Sequence, residues 1–294
     1  MLTGALATFA AALIVIVASA AIGAGVLAAC GGRRWSWTAP AIGLAGATVV
    51  AWWAVRLPGH GLTALGAVVA LAVAGGSLAI SRMSDLRQAA LQGAPVLLVG
   101  LVGVAIPFVV EGHFGVLGTG FNVDMSQHLF AADWLADPTG EKPSLFEQGY
   151  PLGPHALAVA TDEVSGELSS SFTGVTIAIP VIAALTALAG LREWTWWRAT
   201  LVGTLTAFAY LAASYLAQGS FKELFEVVFL LGFALWLRDL GDLNESQARE
   251  GWRAGLPGAV LAAGALYAYS TPGLAWLGGA LLLWAGLALA RRPD

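Results

Sequence analysis

Residues 3–29 read TGALATFAAALIVIVASAAIGAGVLAA and contain no charged side chain. A bilayer core of roughly 30 Å is crossed by about 20 predominantly apolar residues in a helix. Comparable runs recur along the chain and predict about nine membrane-spanning helices, at 3–29, 38–57, 61–81, 92–110, 172–191, 199–217, 222–237, 255–271 and 273–290. The sequence therefore predicts an all-α polytopic membrane protein.

The composition of the whole chain agrees with this prediction. Of the 294 residues, 58% are hydrophobic and only 11% are charged, and the mean hydropathy is +0.76. Soluble domains carry about 25% charged residues. The chain also has a single cysteine, Cys30, which excludes an intramolecular disulfide.

The placement of arginine and lysine predicts the orientation in the membrane. If the N-terminus lies outside, the outer connections hold only Arg56, Lys142 and Lys222 of the 14 basic residues. The remaining eleven then lie inside, as the positive-inside bias requires. We therefore expect an integral plasma-membrane protein with its N-terminus and its longest polar loop outside.

That loop, residues 113–171, divides the chain into three parts. Residues 1–112 form a membrane block of four helices, and residues 172–294 form a second block of about five. The loop itself predicts short helices from Val123 to Leu135 and from His155 to Glu167, lying on the membrane surface. A loop of this length is more often functional than idle.

The first loop helix carries candidate catalytic groups. Asp124, Gln127 and His128 are spaced to share one helix face. Asp124 could act as a general base next to the bilayer, where a lipid-borne substrate presents its head group. The alternative is a capping box, in which Asp124 caps the helix and Gln127 bonds back to it.

The four histidines suggest one possible cofactor. His60, His113, His128 and His155 all fall on the predicted outer side, and with Asp124 or Glu147 they could bind a divalent metal ion. Their sequence separations match no common ligand spacing. Histidines near lipid head groups are the alternative explanation.

A second outer segment, residues 218–223, predicts a phosphate site. Backbone N–H groups at a helix N-terminus favour anions, and Ser220 and Lys222 stand at the start of the seventh predicted span. The alternative is a lysine that reaches for the membrane surface and pairs with Glu223 or Glu226. Acidic residues at a membrane boundary are themselves functional candidates.

Two loop segments, FNVDMSQHLFAADWL at 121–135 and QGYPLGPHALAVA at 148–160, resemble the first external loop of GT-C-fold glycosyltransferases. The resemblance spans about residues 92–230, as in the N-terminal part of such an enzyme. Members of this family use polyprenyl-phosphate sugars.

The resemblance implies an inverting transfer from a polyprenyl-phosphate-linked sugar to a glycan, lipid or protein acceptor in a bacterial plasma membrane. It implies that Asp124 activates the acceptor hydroxyl or positions it, that Glu223 is a second acid and that Lys222 lies near the donor phosphate. We count His128 with the catalytic candidates, and Gln127, Tyr150, His155 and Ser220 with Lys222 as substrate-binding candidates. We expect membrane lipid as a partner and no nucleic acid.

Two other classes of function stay open at this point. One is a transporter or flippase-like protein for lipid-linked substrates, which would need charges inside its spans. The other is a non-catalytic membrane assembly protein, in which the loop is a docking surface and Asp124 only a helix cap.

Overall fold

A computed structural model of the chain describes residues 2–112, 114, 117, 123–241 and 251–290. The side chains of Leu2, Thr3, Val123 and Asp124 lie outside this description. The described part is helical throughout and has no strand, which confirms the predicted all-α class.

Thirteen α-helices and one 3-10 turn make up the described part. They are α1 (Leu2–Ala29), α2 (Ala39–Ala54), α3 (His60–Arg82), α4 (Leu86–Glu111), α5 (Val123–Ala136), α6 (Ser144–Glu147), α7 (Gly153–Ser165), α8 (Leu168–Ala187), the 3-10 turn Leu188–Leu191, α9 (Trp196–Ala207), α10 (Tyr210–Ala217), α11 (Phe221–Gly241), α12 (Trp252–Tyr269) and α13 (Thr271–Ala290).

Five helical segments of the described chain are long and apolar enough to cross a membrane. They are Gly4–Ala29, His60–Arg82, Leu86–Glu111, Leu168–Leu191 and Thr271–Ala290. Together, α9 and α10 would make a sixth span, bent by 56° at the break between them. The structure thus supports five or six spans by these criteria, although each of the nine predicted spans contains helix.

Two of the remaining predicted spans differ from the five for identifiable reasons. Helix α2 has only 16 residues. Helix α11 carries three charged side chains within its first six residues and two more near its end. These helices are held by the bundle around them, and they do not meet the length and composition expected of an independent span.

Helix α8 forms the centre of the bundle. Its most apolar window is 89% buried, compared with 11% for α13, and it packs against α1, α4, α7, α9 and α11. Helices α3, α4 and α13 present exposed leucine and valine side chains outward, as lipid-facing helices do. The two predicted membrane blocks therefore share one core.

Helices α1 and α2 cross with their backbones in close contact. A Cβ atom added to Gly43 would overlap the carbonyl oxygen of Ser19, and one added to Gly23 would overlap the carbonyl oxygen of Ala39. Small residues at a crossing allow this approach between membrane helices. The crossing positions α2 between α1 and α12.

The loop helices form, but one of them is not a surface helix. Helix α5 begins at Val123, as predicted, whereas every residue of α7 from Gly153 to Thr161 is buried. Helix α7 packs against α2, α3, α5 and α8. Its small and apolar residues Ala156, Ala158 and Ala160 let it enter the bundle, so the prediction that it lies on the membrane surface is wrong.

The bundle has two ends with different side chains. We call one end the loop face: it holds the α2–α3 turn, α5 to α7, the start of α11 and the end of α12. We call the other the arginine face: it holds 30–36, Arg192, Arg238 and Arg253.

Candidate functional site

The centre of the loop face is a buried pair of histidines from two helices. His128 of α5 and His155 of α7 place Nδ1 and Nε2, respectively, 3.1 Å apart. Their sequence positions are 27 residues apart, so the pair depends on the packing of α5 on α7. His128 is 9% exposed and His155 is fully buried.

Burial decides the protonation of His155. The pKa of His155 lies well below its ordinary value, first because burial disfavours the imidazolium and second because His128 lies beside it. His155 is therefore neutral at physiological pH. Its Nδ1 has no hydrogen-bond partner among the described residues. The proton is best placed on Nε2, which then donates to His128 Nδ1.

Aromatic rings enclose the histidine pair. The ring centroid of Phe221 lies 5.0 Å from that of His128 and 5.2 Å from that of His155. Tyr150 lies 5.3 Å from His128, and Phe172 packs on His155 at 5.6 Å. These rings exclude water from one side of the pair and fix the imidazoles in place.

Lys222 forms the cationic edge of the same cluster. Its Nζ lies 5.0 Å from the ring centroid of Tyr150, 5.9 Å from that of Tyr269 and 4.0 Å from Glu223 Oε1. The lysine side chain is 34% exposed. The ion pair with Glu223 is long and leaves the ammonium group able to donate to a ligand.

Glu226 lies one helical turn after Lys222 and is the least solvated acid near the site. It is 6% exposed, and neither carboxylate oxygen has a hydrogen-bond partner in the described part of the chain. A Cβ on Gly273 would come within 2.8 Å of its Oε2, so the absence of a side chain there makes room for the carboxylate.

The structure brings most of the predicted site residues together. His128, Tyr150 and His155 form one ring cluster, and Lys222 joins it to Glu223. Asp124 lies in the first turn of α5, one turn before His128, but its side chain is outside the described residues. Its predicted role as base or cap therefore stays a prediction.

Two other predicted site residues, Gln127 and Ser220, do not join this cluster in the predicted way. Gln127 is exposed and lines a separate cleft of about 320 Å³ with Glu141 and Lys142, so it does not share a face with buried His128. Consecutive helical residues point about 100° apart. The N–H of Ser220 donates to the carbonyl oxygen of Tyr215 at 2.9 Å and is not free for an anion.

The histidines are not arranged as a metal site in the described residues, where no group of three His, Cys, Asp or Glu side chains converges. His60 bonds through Nδ1 to the carbonyl oxygen of Val55 at 2.9 Å. His113 lies outside the described residues.

Sequence reasoning missed the aromatic residues Phe172, Phe221 and Tyr269. The first two resemble any apolar residue of a membrane helix. Tyr269 could have been identified from the sequence, because it directly precedes Ser270-Thr271-Pro272, the polar break between two apolar helices. In comparisons with protein families, with curated proteins and with solved structures, nothing matches this chain.

Proposed function

We propose that the chain is a membrane glycosyltransferase that moves a sugar from a polyprenyl-phosphate donor to an acceptor hydroxyl at the loop face. The observation that carries this proposal is the convergence of Lys222, Tyr150, His128 and His155 from separate elements at one end of a membrane bundle. The arrangement offers a cation for a phosphate beside ring surfaces that suit a sugar or prenyl group.

The reaction is a single displacement at the sugar. The acceptor hydroxyl oxygen attacks C1, the bond from C1 to the donor phosphate oxygen breaks, and Asp124 takes the hydroxyl proton. Polyprenyl phosphate leaves with the bonding electrons and its negative charge. Lys222 stabilises that charge as it develops, and the position of its ammonium group over the Tyr150 ring supports this role.

The histidine pair positions the site and does not act as its base. His155 is neutral and cannot be protonated without a large desolvation cost. Its hydrogen bond fixes the position of the His128 ring beside Tyr150 and Phe221.

The test is Asp124→Asn in membranes that contain the full chain and a panel of polyprenyl-phosphate sugars. We expect a loss of sugar transfer of about 100-fold or more, because a general base contributes on the order of 10²–10⁴. The control is Asp137→Asn, which alters an exposed acid in the same loop. Transfer that is unchanged at equal protein level in Asp124→Asn would remove Asp124 from the mechanism.

A transporter or flippase-like activity for lipid-linked substrates is the second candidate, and Glu226 favours it. A buried carboxylate without a hydrogen-bond partner in the described chain is typical of proton-coupled membrane transport. In proteoliposomes, this candidate predicts movement of a fluorescent polyprenyl phosphate between leaflets and its loss in Glu226→Gln. An absence of movement with the unaltered chain would eliminate the candidate.

A further inference from the structure

The arginine face contains a cavity that the proposed function does not use. It has a volume of about 590 Å³, within the range of ligand pockets, and lies between the end of α1, the end of α11 and the start of α12. The residues that bear on its chemistry are Cys30, Arg33, Arg34, Trp236, Asp239 and Arg253.

Four of the arginines around this end of the bundle fall into two groups. Arg192 and Arg238 both bind Asp239, each at 2.7 Å. Arg33 and Arg34 line the cavity and form no ion pair or side-chain hydrogen bond within the described part of the chain. Among the described residues of the lining, Asp239 is the one acid, and it is already engaged, so this described part of the wall carries excess positive charge.

Part of the same wall is apolar. Leu27, Trp236 and Pro257 line the cavity beside the arginines, and α1 ends at Ala29 directly before Arg33. The cavity therefore lies at the boundary between the membrane-spanning part of α1 and the charged face. A ligand that matches this cavity is amphipathic, with an anionic group attached to an apolar part.

We propose that this cavity binds the phosphate head group of an anionic phospholipid from the leaflet at the arginine face. Arg33 and Arg34 bind the phosphate oxygens through charge-assisted hydrogen bonds, and the first carbons of the lipid contact Trp236 and Leu27. Basic pockets between membrane helices on the cytoplasmic side are suited to such head groups. A free phosphate would leave the apolar wall uncovered.

The experiment titrates the full chain, purified in a zwitterionic detergent, with short-chain phosphatidylglycerol and counts bound lipid by native mass spectrometry. Phosphatidylcholine and inorganic phosphate are titrated in parallel. We expect one phosphatidylglycerol to bind more tightly than phosphatidylcholine. The double variant Arg33→Gln with Arg34→Gln should weaken that binding by about 25-fold, since each arginine near a membrane surface contributes on the order of fivefold.

The matched control is Arg87→Gln with Arg198→Gln, which removes the same charge from the same face without touching the cavity. Binding within about twofold of the unaltered chain supports the site. An equal loss in both double variants would mean diffuse surface attraction and would overturn it. Binding of inorganic phosphate with the same dependence on Arg33 and Arg34 would overturn the lipid assignment.

Discussion

The substitution Lys222→Gln tests the phosphate end of the proposed site. Lys222 sits at the start of α11 with its ammonium group over Tyr150 and 4.0 Å from Glu223. Glutamine retains part of the length and polarity and removes the charge. The change therefore separates charge recognition from packing.

The expected magnitude follows from exposure and geometry. The ion pair with Glu223 lies at the limit of contact and is partly exposed, so its loss should cost at most about 1 kcal/mol of folding stability. A hydrogen bond to a charged group contributes about 1.5–3 kcal/mol. Because 34% of the lysine side chain is exposed to solvent, we expect the lower end of this free-energy range. That value corresponds to an affinity loss of about tenfold.

The assay is a titration of the purified chain with farnesyl phosphate, with farnesol as the uncharged comparison. We expect Lys222→Gln to bind farnesyl phosphate about tenfold more weakly and farnesol as before. The matched control is Lys142→Gln, because Lys142 also lies over an aromatic ring, that of Phe146 at 4.7 Å, but outside the histidine cluster. Equal affinity in Lys222→Gln and the unaltered chain would refute the role of Lys222, as would an equal loss in Lys142→Gln.

Two further predictions concern stability. Burial lowers the pKa of His155 in the folded state below its unfolded value of about 6.5. The stability contributed by the neutral imidazole is therefore fully present above about pH 6.5. As the pH falls below this value, that stability is lost by at most about 1.4 kcal/mol per pH unit. His155→Gln should therefore flatten the decline in melting temperature between pH 7 and pH 5, and a decline of the same slope would contradict this. Gly43→Ala should destabilise the chain by about 1–3 kcal/mol, because its Cβ meets the backbone of Ser19, whereas Gly66→Ala, which meets nothing within 4 Å, should not lower the melting temperature. Equal melting temperatures for the two alanine variants would mean that the α1–α2 crossing is looser than described.

Some of this architecture could be predicted because it depends on local composition. The absence of charge from residues 3–29 is sufficient for a helix that can cross the bilayer, since lipid offers no partner for an unpaired backbone N–H or C=O group. The prediction of nine spans is not confirmed, because only five or six helical segments of the described chain meet the length and composition of a span, and Glu226 of α11 is buried among neighbouring helices.

Contacts between helices that are far apart in the sequence could not be predicted from local composition. The burial of α7 depends on small residues that let it enter the bundle, and the direction of α2 depends on the contacts of Gly23 and Gly43 with α1. No periodicity in the sequence encodes the place where two helices cross.

The sequence by itself determined that the chain is a bundle of apolar helices with a polar loop and an excess of arginine on one side, because hydrophobicity and charge are properties of each segment. Only the tertiary structure decided that His128 meets His155, that Lys222 lies over Tyr150 and that Arg33 and Arg34 line a cavity. These contacts join residues far apart in the chain. Their distances are set by how α5, α7 and α11 pack, which is a property of the assembled bundle and of no single segment.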